Sequence, residues 1–112
     1  MPHVPILTTE ELKARLDTGE ETILIYVHNK ADFDAGHIPG SIWVPMEELR
    51  TGASEVIPHM DSYVVVYCEN DRCDEPIISA QILTQMGYEN VHHYSGGMED
   101  WIAAGLPAEN DK

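Results

Sequence analysis

The chain has 112 residues, of which 43% are hydrophobic and 23% are charged, proportions typical of a folded globular domain and not of a disordered acidic tail. This length suits one hydrophobic core, so we expect a single domain over residues 1–112. Its 20 acidic and 6 basic residues give a formal net charge of −14, which argues against nucleic acid and anionic membranes as partners.

Two further features concern location. No run approaches the roughly 20 apolar residues of a transmembrane helix, and the start, MPHVPILTTEELK, lacks the basic and apolar regions of a secretory signal. We therefore expect a cytoplasmic protein.

The two cysteines, Cys68 and Cys73, have C-x4-C spacing. Because a lone short-loop disulfide would add little to a domain with its own core, we expect reduced thiols with a chemical role.

The first predicted element is a short helix. Thr8 is a candidate N-cap and Glu11 follows three residues later, which is the spacing of a capping box. Leu12 and Leu16 follow at helical spacing, and Gly19 ends the run.

The strands are predicted from short apolar, β-branched runs. Such runs suit strands buried on both faces, as in a parallel sheet covered by helices. Four segments have this character: TILIYV (22–27), SIWV (41–44), SYVVVY (62–67) and, more briefly, NVHHY (90–94).

Helices and turns are predicted between these strands. KADFDAGHIPG (30–40) is a turn-rich connection, and MEELRTGASEVIP (46–58) is a short helix ending before its proline. Pro76 begins the next helix, which Gly87 ends; Ile78, Ile82 and Met86 recur on one face. GMEDWIAAG (97–105) is the last helix. This alternation predicts an α/β fold with a mainly parallel central sheet flanked by helices.

Cys68 directly follows a predicted strand, where open α/β sheets bind ligands. Backbone N–H groups of the loop after it, together with the helix beginning near Pro76, could stabilise a thiolate and lower the pKa of the thiol from about 8.5. Cysteine is also among the most buried residue types. The residues alone therefore leave two interpretations open, a nucleophile and a packed core residue.

Three segments make the chain resemble a single-domain rhodanese-like sulfurtransferase: FDAGHIPGSIWVP (33–45), VVVYC (64–68) and GYENVHHYSGGMEDWIAAGLP (87–107). The first and last are similar to the A-G-H-I-P-G-A and G-G-x-x-x-W segments of that family, in the same order around a strand-end cysteine. The resemblance covers nearly the whole chain, and it implies the rhodanese-like fold with a core over about residues 7–107.

By this resemblance, Cys68 corresponds to the catalytic cysteine of the family. That cysteine takes a sulfane sulfur from a donor such as thiosulfate or a persulfide, and passes it to a thiol or cyanide. The partners implied are a small-molecule or protein sulfur donor and a thiol acceptor, and no cofactor is implied. The following loop would hold the outer sulfur through its amides: Glu69, Asn70, Asp71, Arg72 and Cys73.

Two positions depart from the family pattern. Family members usually carry aspartate and arginine in a motif like LIDVR, where this chain reads LIYVH, with Tyr26 and His28. The spacing from Cys68 to Gly87 is also two residues longer than the usual cysteine-to-glycine spacing, and the loop contains Cys73, as in a subset of the family with C-x4-C spacing. Cys73 could resolve or relay sulfur, or it could be packed inward.

The loop is acidic, because four carboxylates surround its single cation, Arg72. Such a rim should repel thiosulfate, and we expect weak activity with that donor. No metal site is expected, because C-x4-C lacks the tight spacing of structural zinc sites, and the adjacent His92 and His93 point to opposite faces of a strand. His37 is expected to order its turn and Trp101 to anchor the last helix.

Three functions follow from these observations. The first is a sulfurtransferase that forms a persulfide on Cys68. The second is a catalytically weak rhodanese-like module that binds a partner or senses redox state through the Cys68 and Cys73 pair. The third, a phosphatase or arsenate reductase, is less well supported, because it requires an electropositive loop and Arg72 stands among carboxylates.

Overall fold

The computed structural model describes residues 4–110. The predicted domain limits of 1–112 also include residues 1–3 and 111–112, which lie outside the described residues. Within the described part, the strands in chain order are β1 (Ile6–Leu7), β2 (Ile23–Tyr26), β3 (Ile42–Trp43), β4 (Val64–Tyr67) and β5 (Val91–Tyr94). They form one sheet of order β1-β5-β4-β2-β3 in which every pair is parallel.

The helices in chain order are α1 (Thr9–Asp17), α2 (Lys30–Ala35), α3 (Leu49–Val56), α4 (Glu75–Gln85) and α5 (Gly97–Ala103). A short 3-10 turn at Met46–Glu48 precedes α3. Two buried clusters lie on the two faces of the sheet: one includes Leu49 of α3 and Leu83 of α4, and the other includes Leu12 of α1 and Trp101 of α5. The predicted α/β class, with a parallel sheet between helices, is confirmed.

β4 lies at the centre of the sheet. It pairs with β2 on one side and β5 on the other, and all four of its residues are buried. This double burial explains why the segment reads as a continuous apolar run without alternation. The chain leaves β4 at Tyr67, so Cys68 lies at the carboxyl end of the central strand.

Several predicted helix boundaries are confirmed. At the start of α1, the N–H of Glu11 donates to Thr8 Oγ1 (3.1 Å) and the N–H of Thr8 donates to Glu11 Oε1 (2.9 Å), which completes the capping box. The segment after β3 is helical and ends before Pro58, as predicted. The last predicted helix is observed as α5.

Two elements were missed in the sequence. β1 has only two residues, too few to show a periodic pattern, and it is recognisable only through its pairing with β5. The connection at 30–40 was predicted only as turn-rich, and its first part forms α2. Asn29 caps this helix by accepting from the N–H of Ala31 (2.8 Å), and Phe33 anchors it in the core.

Burial differs from the sequence pattern in two places. The segment SIWV was expected to be buried on both faces, but β3 lies at the sheet edge, where Ile42 is 37% exposed. In α4, Ile82 and Met86 are partly buried against the core, but the face on which they recur with Ile78 is not the most buried one. Ile78 is exposed, and the residues that pack fully are Pro76, Ser79, Ala80 and Leu83. The small side chains of Ser79 and Ala80 let α4 pack closely on the sheet. The spacing of large apolar residues in the sequence does not reveal such a face.

Candidate active site

Cys68 is 1% exposed and follows directly on β4. Its sulfur is bonded to that of Cys73, with the two Cα atoms 6.5 Å apart. The expectation of reduced thiols is therefore not met in this state of the protein, although the loop does fold back as a resolving role for Cys73 requires. Whether Cys73 resolves or relays sulfur stays a prediction.

The loop between the two cysteines turns at Asn70. The side-chain Oδ1 of Asn70 accepts from the N–H of Arg72 (3.0 Å), and its carbonyl accepts from the N–H of Cys73 (3.4 Å). Glu69 and Asn70 are half-buried, whereas Asp71 and Arg72 are exposed. The predicted anion-holding segment therefore has an inner half close to Cys68 and an outer half in solvent.

The N-terminus of α5 holds the inner half of the loop. The N–H of Met98 donates to the carbonyl of Cys68 (3.1 Å), and the N–H of Glu99 donates to the carbonyl of Glu69 (2.8 Å). Because a trans peptide directs its N–H opposite to its C=O, the amides of Glu69 and Asn70 point away from α5. These two N–H groups are thus turned away from the helix that binds the carbonyls.

Gly97 permits this close approach. Its φ is +64°, and a Cβ added there would lie 2.5 Å from the carbonyl oxygen of Cys68 and 2.7 Å from the carbonyl carbon of Glu69. No other residue type has both the backbone freedom and the lack of a side chain that the position requires. Gly97 belongs to the G-G-x-x-x-W segment, but the sequence pattern alone does not indicate this role at the site.

Tyr26 contacts the loop from the carboxyl end of β2. Its hydroxyl donates to Glu69 Oε1 (3.0 Å). Burial, and then the negative charge of Glu69, raises the pKa of the Tyr26 hydroxyl far above its usual range, so the group stays a donor. Burial also raises the pKa of the Glu69 carboxyl, and the hydrogen bond from Tyr26 opposes that rise. The tyrosine at the family's aspartate position thus supports the cysteine loop.

His28, two residues farther along, contacts the other end of the loop. Its Nδ1 lies 2.7 Å from Glu75 Oε2 at the start of α4, and the indole N–H of Trp43 donates to the carbonyl of His28 (2.9 Å). A ring nitrogen of His28, the Cys68 sulfur and a Glu75 carboxylate oxygen all lie within 4.8 Å of one another. These three are the ligand-type atoms that could hold a metal ion here.

An open cleft of about 210 Å³ lies beside this group and is lined by Val27, His28, Asn29, Glu47 and Glu75. Of the loop's charged groups, Asp71 and Asp74 are exposed. Arg72 pairs with Glu99 (3.3 Å) on α5, and its side chain is 71% exposed. The cation that a phosphatase mechanism would need is therefore already paired with a carboxylate.

The residues predicted to be structural do serve the fold. A ring N–H of His37 donates to the carbonyl of Phe33 (2.7 Å), and the two rings stack at 3.9 Å. Trp101 is 2% exposed and donates to the carbonyl of Pro107 (2.8 Å). Tyr67 was not singled out from the sequence. Its hydroxyl oxygen accepts from the N–H of Ile38 (3.1 Å), and this bond fixes the GHIPG turn (36–40) to the end of β4.

These features define an α/β domain with a buried cysteine at the carboxyl end of its central parallel strand. The loop that follows the cysteine is held by the N-terminus of a helix that begins at a glycine. The family model described as "Rhodanese-like domain" matches residues 8–104. The chain belongs to this family.

Individual relatives agree with the family. The chain is 35% identical over 103 residues to "HTH-type transcriptional regulator Rv0324" of Mycobacterium tuberculosis, matching 92% of this chain and 44% of that protein. It is 30% identical over 101 residues to "Sulfurtransferase" of Allochromatium vinosum, matching 90% of this chain and 91% of that protein. Among solved structures, a thiosulfate sulfurtransferase from Pseudomonas aeruginosa superposes with a TM-score of 0.87 at 30% identity, over 98% of this chain and 21% of that one.

The chain thus spans less than half of the regulator and about a fifth of the Pseudomonas protein, and nearly all of the Allochromatium protein. Across residues 4–110, no helix is long and apolar enough to cross a membrane.

Proposed function

We propose that this protein is a sulfurtransferase that carries a sulfane sulfur on Cys68 once the bond to Cys73 is reduced. The observation that carries the proposal is the position of Cys68. It lies buried at the carboxyl end of β4, and the carbonyls of the loop after it are bound to α5, so the adjacent amides are free to face the other way.

The chemistry needs only a nucleophilic sulfur and hydrogen-bond donors. The Cys68 thiolate attacks the outer sulfur of a donor R–S–SH, the donor S–S bond breaks, and R–S⁻ leaves. The product is a persulfide on Cys68. An acceptor thiolate R′–S⁻ then attacks the outer sulfur, takes it as R′–S–SH, and releases the Cys68 thiolate. Each step exchanges one S–S bond for another.

The donor that suits this site is a persulfide of a protein or small molecule. The loop has four carboxylates and a single arginine, and that arginine is already paired with Glu99. Their field repels thiosulfate, which carries two negative charges, more strongly than it repels a neutral or singly charged persulfide. We therefore expect low turnover with thiosulfate.

Cys73 resolves the persulfide when no acceptor is present. Its thiolate attacks the inner sulfur, Cys68 Sγ, expels hydrosulfide and forms the Cys68–Cys73 disulfide. A dithiol reductant then opens this bond and is itself oxidised to a disulfide. The bond between these two sulfurs in the structure supports such a cycle.

Mass spectrometry of the reduced protein tests the proposal. After incubation with a small-molecule persulfide, the Cys73→Ser variant should gain one sulfur atom on Cys68, because it cannot resolve the adduct. The wild-type protein should release sulfide and regain the disulfide, and Cys68→Ser should gain nothing at that position. If Cys73→Ser gains no sulfur from either a persulfide or thiosulfate, the proposal is wrong.

The disulfide also favours a second candidate, a redox-sensing module that does not transfer sulfur. In that case mild peroxide should convert reduced protein quantitatively to the Cys68–Cys73 disulfide, and a dithiol should reverse the change. Transfer from every donor would remain at the level of Cys68→Ser. Measurable transfer to an acceptor thiol would exclude this candidate.

A further inference from the structure

The group formed by His28, Cys68 and Glu75 contains three different metal-ligating side chains whose donor atoms all lie within 4.8 Å of one another. Each comes from a different part of the fold: the end of β2, the end of β4 and the first residue of α4. Parallel strands bring these parts together at one edge of the sheet. The spacing of the residues in the sequence does not reveal the group.

A fourth donor adjoins this group. The sulfur of Cys73 is bonded to that of Cys68, so reduction leaves two thiols side by side. Around a tetrahedral zinc ion with ligand bonds of about 2.0–2.3 Å, neighbouring ligand atoms lie about 3.3–3.8 Å apart. The reduced sulfurs must separate toward that spacing when their bond breaks, and the nitrogen–oxygen pair of His28 and Glu75 starts at 2.7 Å. The donor atoms of His28, Cys68 and Glu75, which lie within 4.8 Å of one another, therefore need only small movements to reach it.

Access and charge both favour a cation. His28 and Glu75 have side chains 34% and 29% exposed, and they line the open cleft together with the exposed Glu47. The chain has a net charge of −14. The negative field that disfavours thiosulfate therefore attracts a divalent cation to the same place.

We propose that the reduced protein binds one zinc ion through four side chains: Cys68, Cys73, His28 and Glu75. This set combines thiolate, imidazole and carboxylate, the ligand types that zinc accepts. On binding, the two thiols release two protons. The disulfide has no thiolate to offer, so oxidation by loss of two electrons to an oxidant such as a peroxide expels the ion. Metal binding is thereby coupled to the redox state of the loop.

Binding does not require the sulfur-transfer proposal to be correct, because it is measured without a sulfur donor. A bound ion would nevertheless occupy the nucleophilic sulfur. Zinc is expected to slow sulfur loading onto Cys68, measured in the wild-type protein as the release of sulfide, and a chelator should restore the rate.

Cobalt(II) titration tests the site, since cobalt replaces zinc and absorbs light. The protein is reduced with a dithiol, freed of reductant without oxygen, and titrated with cobalt(II). We expect a 1:1 complex with thiolate-to-cobalt absorption in the near ultraviolet and tetrahedral bands in the visible, both removed by zinc. The disulfide form should show neither signal. A reduced protein that forms no 1:1 complex, or a disulfide form that binds equally well, would overturn the proposal.

Variants assign the ligands. Cys73→Ser, His28→Ala and Glu75→Gln should each weaken binding by at least about tenfold, the loss seen even for groups that only support a ligand. The matched controls are His59→Ala and Glu55→Gln, both exposed and outside the group, and they should bind like the wild type. If His28→Ala does not fold, Glu75→Gln carries the test. A complex of unchanged affinity in the folded His28 or Glu75 variant would show that this residue is not a ligand, and the four-ligand site would be wrong.

Discussion

Replacing Gly97 by alanine should distort the cysteine loop, and the cost can be separated into two parts. The first is the left-handed backbone, with φ at +64°, which costs a non-glycine residue about 1–2 kcal/mol. The second is the added Cβ, which would lie 2.5 Å from the carbonyl oxygen of Cys68. Backbone lies in the way, so relief requires the loop or α5 to move, and overpacking of this kind costs about 1–3 kcal/mol.

Gly105→Ala is the matched control, because Gly105 also has a positive φ, +78°, but nothing lies within 4 Å of its Cβ position. Both variants bear the backbone cost and only Gly97→Ala bears the steric one. The difference in the free energy of unfolding should be about 1–3 kcal/mol, or roughly 4–12 °C in Tm for a domain of this size.

Thermal unfolding followed by circular dichroism measures this difference. Persulfide loading on Cys68, measured by mass spectrometry in the Cys73→Ser background so that the adduct is not resolved, reports the state of the loop. We expect Gly97→Ala to unfold at the lower temperature and to load less sulfur while still folded, and Gly105→Ala to load normally. Equal Tm losses in the two variants would refute the steric argument. Normal loading in Gly97→Ala would refute the link between the position of α5 and the loop amides.

Three further outcomes are expected. Tyr26→Phe removes the donor to the half-buried Glu69 and should lower the free energy of unfolding by about 1–2 kcal/mol, measured in urea; an unchanged midpoint would count against this bond. Burial lowers the pKa of both His92 and His93 below 6.5, so the unfolded chain takes up protons that the fold excludes. Stability should therefore fall between pH 7.5 and pH 5.5, with a smaller fall in His93→Leu, and a slope equal to that of the wild type would contradict this assignment. In the Cys73→Ser background, where the adduct persists, sulfur loading from thiosulfate should increase when Asp71 is changed to asparagine or when salt is raised, whereas loading from a neutral persulfide should change little. A salt-independent thiosulfate rate would speak against repulsion by the rim.

The sequence predicted an element correctly where its signal is local and strong. β4 is one example, because its four buried residues form an unbroken apolar run, and the capping box at the start of α1 is another. β1 could not be predicted, since two residues have no periodicity and become a strand only by pairing with β5. In α4, Ile78 is exposed, and the face that packs on the sheet carries small residues such as Ala80. Helical spacing alone does not show whether the face with large apolar residues or the face with small residues packs on the sheet.

The site was only partly predictable for a different reason. The position of Cys68 follows from topology, because any residue after a central parallel strand lies at the ligand-binding edge of the sheet. Partners on other strands have no fixed sequence separation. Tyr26 and His28 were noticed only as departures from the family motif, and their contacts with Glu69 and Glu75 depend on how the ends of β2 and β4 align.

These contacts divide the four carboxylates of the loop into two kinds. Glu69 and Glu75 are half-buried, and each is bound by a side chain from the end of β2. Asp71 and Asp74 are exposed and extend into solvent. An aspartate at the position of Tyr26 would offer no donor at neutral pH and would repel Glu69. Tyr26 and His28 therefore give the two half-buried carboxylates of the loop the hydrogen-bond partners that buried polar groups require. In this protein the end of β2 and the acidic loop form one polar network, and a change in either part is expected to affect the other.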